Sequence, residues 1–303
     1  MKNQCPGLSL TGLCRLLGFS PQAYYQHFRD EQKKKIKNEL ILQQVHMIRK
    51  QHPAIGGRKL HYMLQSFFDE HQIKIGRDAF FSLLSGHYLL IRKRKRKVYT
   101  TQSNHWLRKY PNLIMDLEIS KINQVWVSDL TYLKTLEGFV YICLITDAYS
   151  HLIVGYDVSA NLEAVNATKA LKMAISNTVE SGAKLSQLIH HSDRGIQYCS
   201  TSYTEILRKH QIQISMSEKG EPLQNPIAER LNGILKYEYL FYHQINNLQE
   251  ADKLLQASVD AYNHQRPHLS CGMLTPVKAH HNDIELTKRW KNYYKPEKTL
   301  NQF

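Results

Sequence analysis

The stretch NQVWVSDLTYLKT, residues 123–135, decides the fold. Branched and aromatic residues crowd into a short run that closes on the link Leu136-Glu137-Gly138, and this predicts a β-strand. Two more runs follow at hairpin distance, FVYICLITDAYS (139–150) and HLIVGYDVS (151–159), so three consecutive strands form an antiparallel meander. Then come a helix over about 162–179, the strand QLIHHS (187–192), a helix over about 202–210 and the strand IQISMS (212–217). NPIAERLNGILK (225–236) opens an amphipathic helix, with Asn225 as cap and Pro226 at the first helical position. A last helix spans NLQEADKLLQASVDAYNH, with Asn247 and Glu250 at capping-box spacing. Strands alternating with helices call for a mixed sheet covered by helices, an α/β class.

Upstream the pattern is helical. LSLTGLCRLLGFSPQAYYQHF (8–28) reads as a short helix, a Gly18-Phe19 turn and a second helix capped by Ser20, which is helix-turn-helix grammar. KKKIKNELILQQVHMIRKQ (33–51) carries Ile36, Leu40, Ile41, Val45 and Ile48 at helical spacing. GGRKLHYMLQSFFDEH (56–71) predicts a further helix, RDAFFSLLSG (77–86) another that Gly86 stops, and YLLIRKRKRKVY (88–99) a strand-like edge running into the basic residues Arg92 to Lys97. Of the 303 residues, the first hundred hold 19 Lys and Arg against 6 Asp and Glu, which supplies most of the net charge of +14. A basic front end on a near-neutral body points to a polyanion, most simply nucleic acid.

Other classes are disfavoured. The cysteines Cys5, Cys14, Cys143, Cys199 and Cys271 form no C-x-x-C pair, and His190-His191 and His280-His281 lack a Cys partner at ligand spacing, so neither a disulfide framework nor a zinc site is expected. No secretory pattern opens the chain and no stretch approaches 18 apolar residues, so a cytoplasmic protein without a membrane span is expected.

Three acids stand where chemistry is plausible. Asp129 shares side-chain parity with Val125 and Val127, and an acid on an otherwise buried face is costly unless paired or metal-bound. Asp193 lies at a strand's end, a usual place for site residues in α/β sheets. Glu229 is one turn into its helix, with Lys236 seven positions on and on the same side. Taken singly, each acid has a structural explanation, and Asp147 and Asp157 compete with them. Together they suit phosphoryl transfer, which needs clustered hard oxygen ligands for Mg²⁺.

WVSDLTY (126–132), HSDRGIQY (191–198) and NPIAERLNGILK (225–236) resemble the three acidic motifs of DDE transposases and retroviral integrases, most closely bacterial insertion-sequence transposases of the IS-three family. The 35 residues between Asp193 and Glu229, and the basic residue seven positions after the glutamate, match that family's signature. YNHQRPHLSCGMLTPVKAH (262–280) resembles its closing motif, and GGRKL its DNA-binding part. The chain departs from many relatives at His151, where Arg is usual, at Leu223-Gln224-Asn225, where Tyr-Asp-Asn is, and at Arg230, where Ser is common.

The resemblance implies an RNase H-like catalytic core, a mixed five-stranded sheet flanked by helices, preceded by an all-helical helix-turn-helix DNA-binding region. The implied layout is a DNA-binding region over 1–98 with a basic arm at 92–97, a linker over 99–121, the core over 122–282 and a basic tail over 283–303. Asp129, Asp193 and Glu229 become ligands of two Mg²⁺ ions, with Mn²⁺ as a substitute, while Asp147 and Asp157 become structural. Lys236 becomes a DNA contact near the element's end, with Arg58, Lys59, Arg77, Arg92, Arg94 and Arg96 as further DNA contacts. The implied activity is that of a transposase that binds the terminal inverted repeats of a mobile element, cleaves a strand and joins it to target DNA. Its setting would be the nucleoid, as a dimer or larger oligomer, with an upstream reading-frame product as a candidate partner. The rival readings are an RNase H-like nuclease that cuts without joining and an idle DNA-binding regulator.

Overall fold

The structure, a computed structural model, describes residues 9–91, 106–218, 225–281 and 286. The basic run with Arg92, Arg94 and Arg96, and almost all of the expected basic tail, lie outside these residues. The chain divides into two compact units, one from 1–50 and 56–91 and the other from 51–55 and 92–303.

The first unit is helical: α1 (Leu10–Leu16), α2 (Pro21–Gln51), α3 (Gly57–Met63), α4 (Gln65–Glu70) and α5 (Arg77–Gly86). Ser9 caps α1 by accepting from Gly12 N, and Ser20 caps α2 by accepting from Ala23 N. The two helices expected over 20–51 are one 31-residue helix, because no proline or glycine interrupts the sequence after Pro21. Ile41 and Val45 of the expected stripe are buried, whereas Ile36 and Leu40 are exposed. The helix expected over 56–71 divides at Leu64, where the backbone leaves the helical ψ range. Residues 88–91 form no strand.

The second unit holds β1 (Val125–Lys134), β2 (Phe139–Asp147), β3 (Ile153–Ser159), α6 (Ala164–Glu180), β4 (Ile189–Ser192), α7 (Ile196–Cys199), α8 (Thr201–Lys209), β5 (Gln213–Met216), α9 (Pro226–Ile234), α10 (Leu248–His264) and α11 (Pro276–His281). The sheet order is β3-β2-β1-β4-β5. β1, β2 and β3 pair antiparallel, and β4 and β5 add in parallel beside β1. This is the mixed five-stranded core expected. Cys143 and Ile145 of β2 pack with Trp126 against α6 and α8, while Ile142 and Leu144 pack against α9 and α10. Both faces of β2 are therefore covered, which is why its sequence is nearly continuously apolar. Gly155 lets β3 approach α6: a Cβ there would meet Ala170 O at 2.2 Å. Among the described residues no helix is long and apolar enough to cross a membrane.

Candidate active site

β1 is the floor of the site. Val125 and Val127 pack against Ala228 and Ile227 of α9, and Asp129 continues the same face. β1 pairs in parallel with β4 through Val127 and His191, so two residues further on Asp129 on β1 stands beside the Asp193 position just past the end of β4. Asp193 Oδ1 accepts from Gly195 N at 2.9 Å, a turn that fixes the carboxyl as the chain enters α7. α9 brings in Glu229, which is exposed.

Two asparagines tie α9 to β1. Asn225 Nδ2 donates to Ser128 O at 2.9 Å, and Asn232 Nδ2 donates to Asp129 Oδ2 at 2.7 Å. The other oxygen of Asp129 accepts from Leu130 N at 2.9 Å. Asn225 is expected to cap α9, but its side chain makes no cap hydrogen bond: its Nδ2 is turned to Ser128 O, and its Oδ1, the atom a cap would use, meets no donor. Pro226 does occupy the first turn. The sequence reading missed Asn232. Its signal is its place three residues after Glu229 on one helix face, beside an acid that needs a donor.

The carboxyls repel one another. Burial, the Asp193 charge and more weakly the Glu229 charge push Asp129 up to about 7, against the opposing hydrogen bonds from Asn232 and Leu130 N. Asp129 thus senses both of the other sequence-predicted acids, Asp193 more strongly than the exposed Glu229.

Lys236 lies in a π-helical turn over Leu235–Tyr239 that follows α9 without a break, so the helix expected through 236 continues, with wider hydrogen bonding in its last turn. Its Nζ donates to Tyr132 O at 2.6 Å and sits 4.3 Å from the centroid of the Tyr132 ring, and burial lowers its pKa. It thus flanks β1 three residues past Asp129. Asp147 is fully buried and serves the β2–β3 turn: it accepts from Asn123 N, Ser150 N and Ser150 Oγ, each at 2.7 Å. Asp157 accepts from Ser159 Oγ on the edge strand β3, two strands from β1. Both acids are accounted for by structure.

In the helical unit, Arg58 and Arg77 are exposed and line one open surface depression together with Asp78 and Phe81. Arg77 Nε donates to Asp78 Oδ1 at 2.8 Å, and Lys59 is partly buried on α3.

Residues 120–222 and 210–276 match two family profiles, each described as an integrase core domain. Over 270 residues the chain is 34% identical to the insertion element IS600 uncharacterized 31 kDa protein of Shigella sonnei, covering 88% of this chain and 96% of that protein. It is 28% identical to the transposase for insertion sequence element IS629 of the same organism over 275 residues, 88% of this chain and 90% of that one. Among solved structures it is similar to the HTLV-2 integrase catalytic core domain in complex with magnesium, with 19% identity, a TM-score of 0.41, and 53% of this chain and 98% of that one covered.

Proposed function

The chain belongs to the insertion-sequence transposases built on an integrase core, polynucleotidyl transferases that act in DNA transposition, and we propose that Asp129, Asp193 and Glu229 are the ligands with which it works. The observation that carries this reading is the parallel β1–β4 register that sets Asp129 beside Asp193, with Asp129 raised to about 7 by burial, by Asp193 and more weakly by Glu229. Such a cluster is unfavourable by itself and favourable around a cation.

The donor set fits a hard divalent ion, since it is all carboxylate oxygen and each oxygen of Asp129 accepts a hydrogen bond with lone-pair capacity to spare. Asp129, Asp193 and Glu229 would hold two Mg²⁺ ions, or Mn²⁺ in their place, and these when bound would polarise the scissile phosphate and acidify the attacking water. The protein's own groups do the positioning. Asn232 and Leu130 N orient the Asp129 carboxylate, Gly195 N orients Asp193, and the α9 backbone carries Glu229 to the same edge.

The reaction proposed has two steps. A water oxygen attacks the phosphorus at the element's end, the P–O3′ bond breaks, and the 3′ oxygen leaves as a hydroxyl. That hydroxyl then attacks a phosphodiester of target DNA, forming a new P–O bond as the old one breaks, so that no bond to the protein forms. Lys236 would contact DNA beside the site after leaving Tyr132 O. Arg58, Lys59 and Arg77, with Arg92, Arg94 and Arg96 of the basic run, would neutralise phosphates of the terminal inverted repeats. Acting on two ends at once supports a dimer or larger assembly on DNA, in the bacterial nucleoid, with an upstream reading-frame product as a partner.

The test is a cleavage and joining assay on labelled DNA carrying the element's own ends, with Mg²⁺ or Mn²⁺. Joined products from wild type, absent from Glu229→Gln while end binding persists, support the proposal. Cutting without joining would make the chain a nuclease, and binding without either reaction would make it a regulator.

A further inference from the structure

Among the described residues, one place away from the carboxylates brings three ligand-bearing side chains within reach of a single ion. His151, in the link between β2 and β3, meets His268 and Cys271 of the loop after α10, with one potential ligand atom from each lying within 4.8 Å of the others. We propose that His151, His268 and Cys271 form a second metal site, selective for a zinc-class cation and distinct in chemistry from the carboxylate site.

The donor set argues for this selectivity. Two imidazole nitrogens and one thiolate suit a borderline-soft ion such as Zn²⁺, and they suit Mg²⁺ poorly. Cys271 and His268 are buried, and His151 is partly exposed, which leaves a route for an ion and a position for a water as fourth ligand. The two imidazoles are stacked, with centroids 4.4 Å apart and 23° between planes. Cys271 Sγ donates to Ser150 O at 3.3 Å, so the thiol already lies against the backbone next to His151. Tetrahedral zinc with bonds of about 2.0–2.3 Å sets its ligand atoms roughly 3.3–3.7 Å apart. Binding therefore needs the ligand atoms to close on one another by no more than about 1.5 Å.

The backbone at His151 is held for its position. Its φ is 60°, in the left-handed region that a residue with a Cβ seldom adopts. His151 N donates to Asp147 O at 2.9 Å, and Tyr262 Oη donates to His151 O at 3.1 Å. Cys271 gives up its thiol proton to solvent as the sulfur–metal bond forms. Such an ion would pin the loop after α10 to the β2–β3 turn. His268 and Cys271 do stand at ligand spacing in the sequence, but with their third partner far upstream the pair alone signals no metal site.

The experiment is a Co²⁺ titration of the full chain, read by the thiolate-to-cobalt charge-transfer band in the near ultraviolet, followed by displacement with Zn²⁺. Wild type and Glu229→Gln are expected to give the band at one equivalent, because carboxylates contribute no sulfur transition. Cys271→Ala is expected to lose it, and His151→Arg to weaken Co²⁺ binding at least about tenfold. As a second readout, in the Glu229→Gln background, where the carboxylate site is weakened, Zn²⁺ should raise the Tm more than it does once His151→Arg, a change at a partly exposed position, is added. Absence of the band from folded wild type, its persistence in Cys271→Ala, or an equal rise in Tm with His151→Arg added would overturn the proposal.

Discussion

Replacing Asn232 with Leu tests how Asp129 is kept available for a cation. Asn232 Nδ2 donates to Asp129 Oδ2 at 2.7 Å, and a hydrogen bond to a charged group contributes about 1.5–3 kcal/mol. Since about 1.4 kcal/mol is a factor of ten, losing this donor strengthens the proton's hold on Asp129 by roughly 10- to 100-fold. Asp129 sits at about 7, so near neutral pH the proton competes directly with a cation. The half-saturating Mg²⁺ concentration should then rise roughly 10- to 100-fold at pH 7, the range usual for groups that orient metal ligands. Leu keeps most of the side-chain volume and removes the buried Asn232 Oδ1, which has no hydrogen-bond partner, so stability should change by less than about 1 kcal/mol. The assay is cleavage of end DNA titrated with Mg²⁺ at pH 7 and again at pH 9, where the variant should recover much of its apparent metal affinity. An unchanged half-saturation at pH 7 with a lower maximal rate would refute the reasoning, since Asn232 would then act on something other than Asp129.

Because the folded protein raises Asp129 above its ordinary value of 3.8 to about 7, it binds that proton more tightly than the unfolded chain does. Metal-free stability should accordingly fall as pH rises from about 4 through about 7, and saturating Mg²⁺ should flatten the decline; denaturant unfolding at several pH values reads both, and a rise over that window would contradict the assignment. Glu238→Gln leaves the buried Arg266, which now donates to Glu238 at 2.9 and 2.8 Å, without its counter-charge, and should cost about 3–5 kcal/mol by urea unfolding; a loss under about 1 kcal/mol would count against a buried ion pair. Gly155→Ala places a Cβ 2.2 Å from Ala170 O, so β3 and α6 must separate, with a fall of about 3–10 °C in Tm; an unchanged Tm would mean that the two elements yield freely. Lys236→Met should reduce the preference for the element's own ends over random DNA more than it reduces nonspecific affinity, and equal losses in a competition binding assay would rule out a specific contact.

The core was legible where one physical signal dominated. The runs that became β1, β2 and β3 are apolar and branched, and their links are too short for anything but hairpins. Asp129 stood out because its parity with Val125 and Val127 put a charge on a buried face, and Glu229 stood out because a helix N-terminal turn presents it. What could not be read depends on where side chains point after folding. Asn225 satisfies every rule for a helix cap, yet its Oδ1 makes no cap hydrogen bond while its Nδ2 meets Ser128 O, an acceptor on β1 that local sequence cannot reveal. Asn232 has the same character: only the meeting of α9 and β1 makes it a donor to Asp129. The turn at 235–239 keeps helical composition, so its π-type hydrogen bonding left no compositional mark. The single long α2 was read as two helices because its polar residues blur the apolar stripe. The approach of His151 to His268 and Cys271 comes from tertiary packing alone.

The most direct test of the central claim is anomalous diffraction from crystals of the protein soaked in Mn²⁺. Anomalous peaks are expected at about 2.1 Å from carboxylate oxygens of Asp129, Asp193 and Glu229 together. Strong peaks elsewhere, with these three carboxylates uncoordinated at saturating Mn²⁺, would contradict that claim.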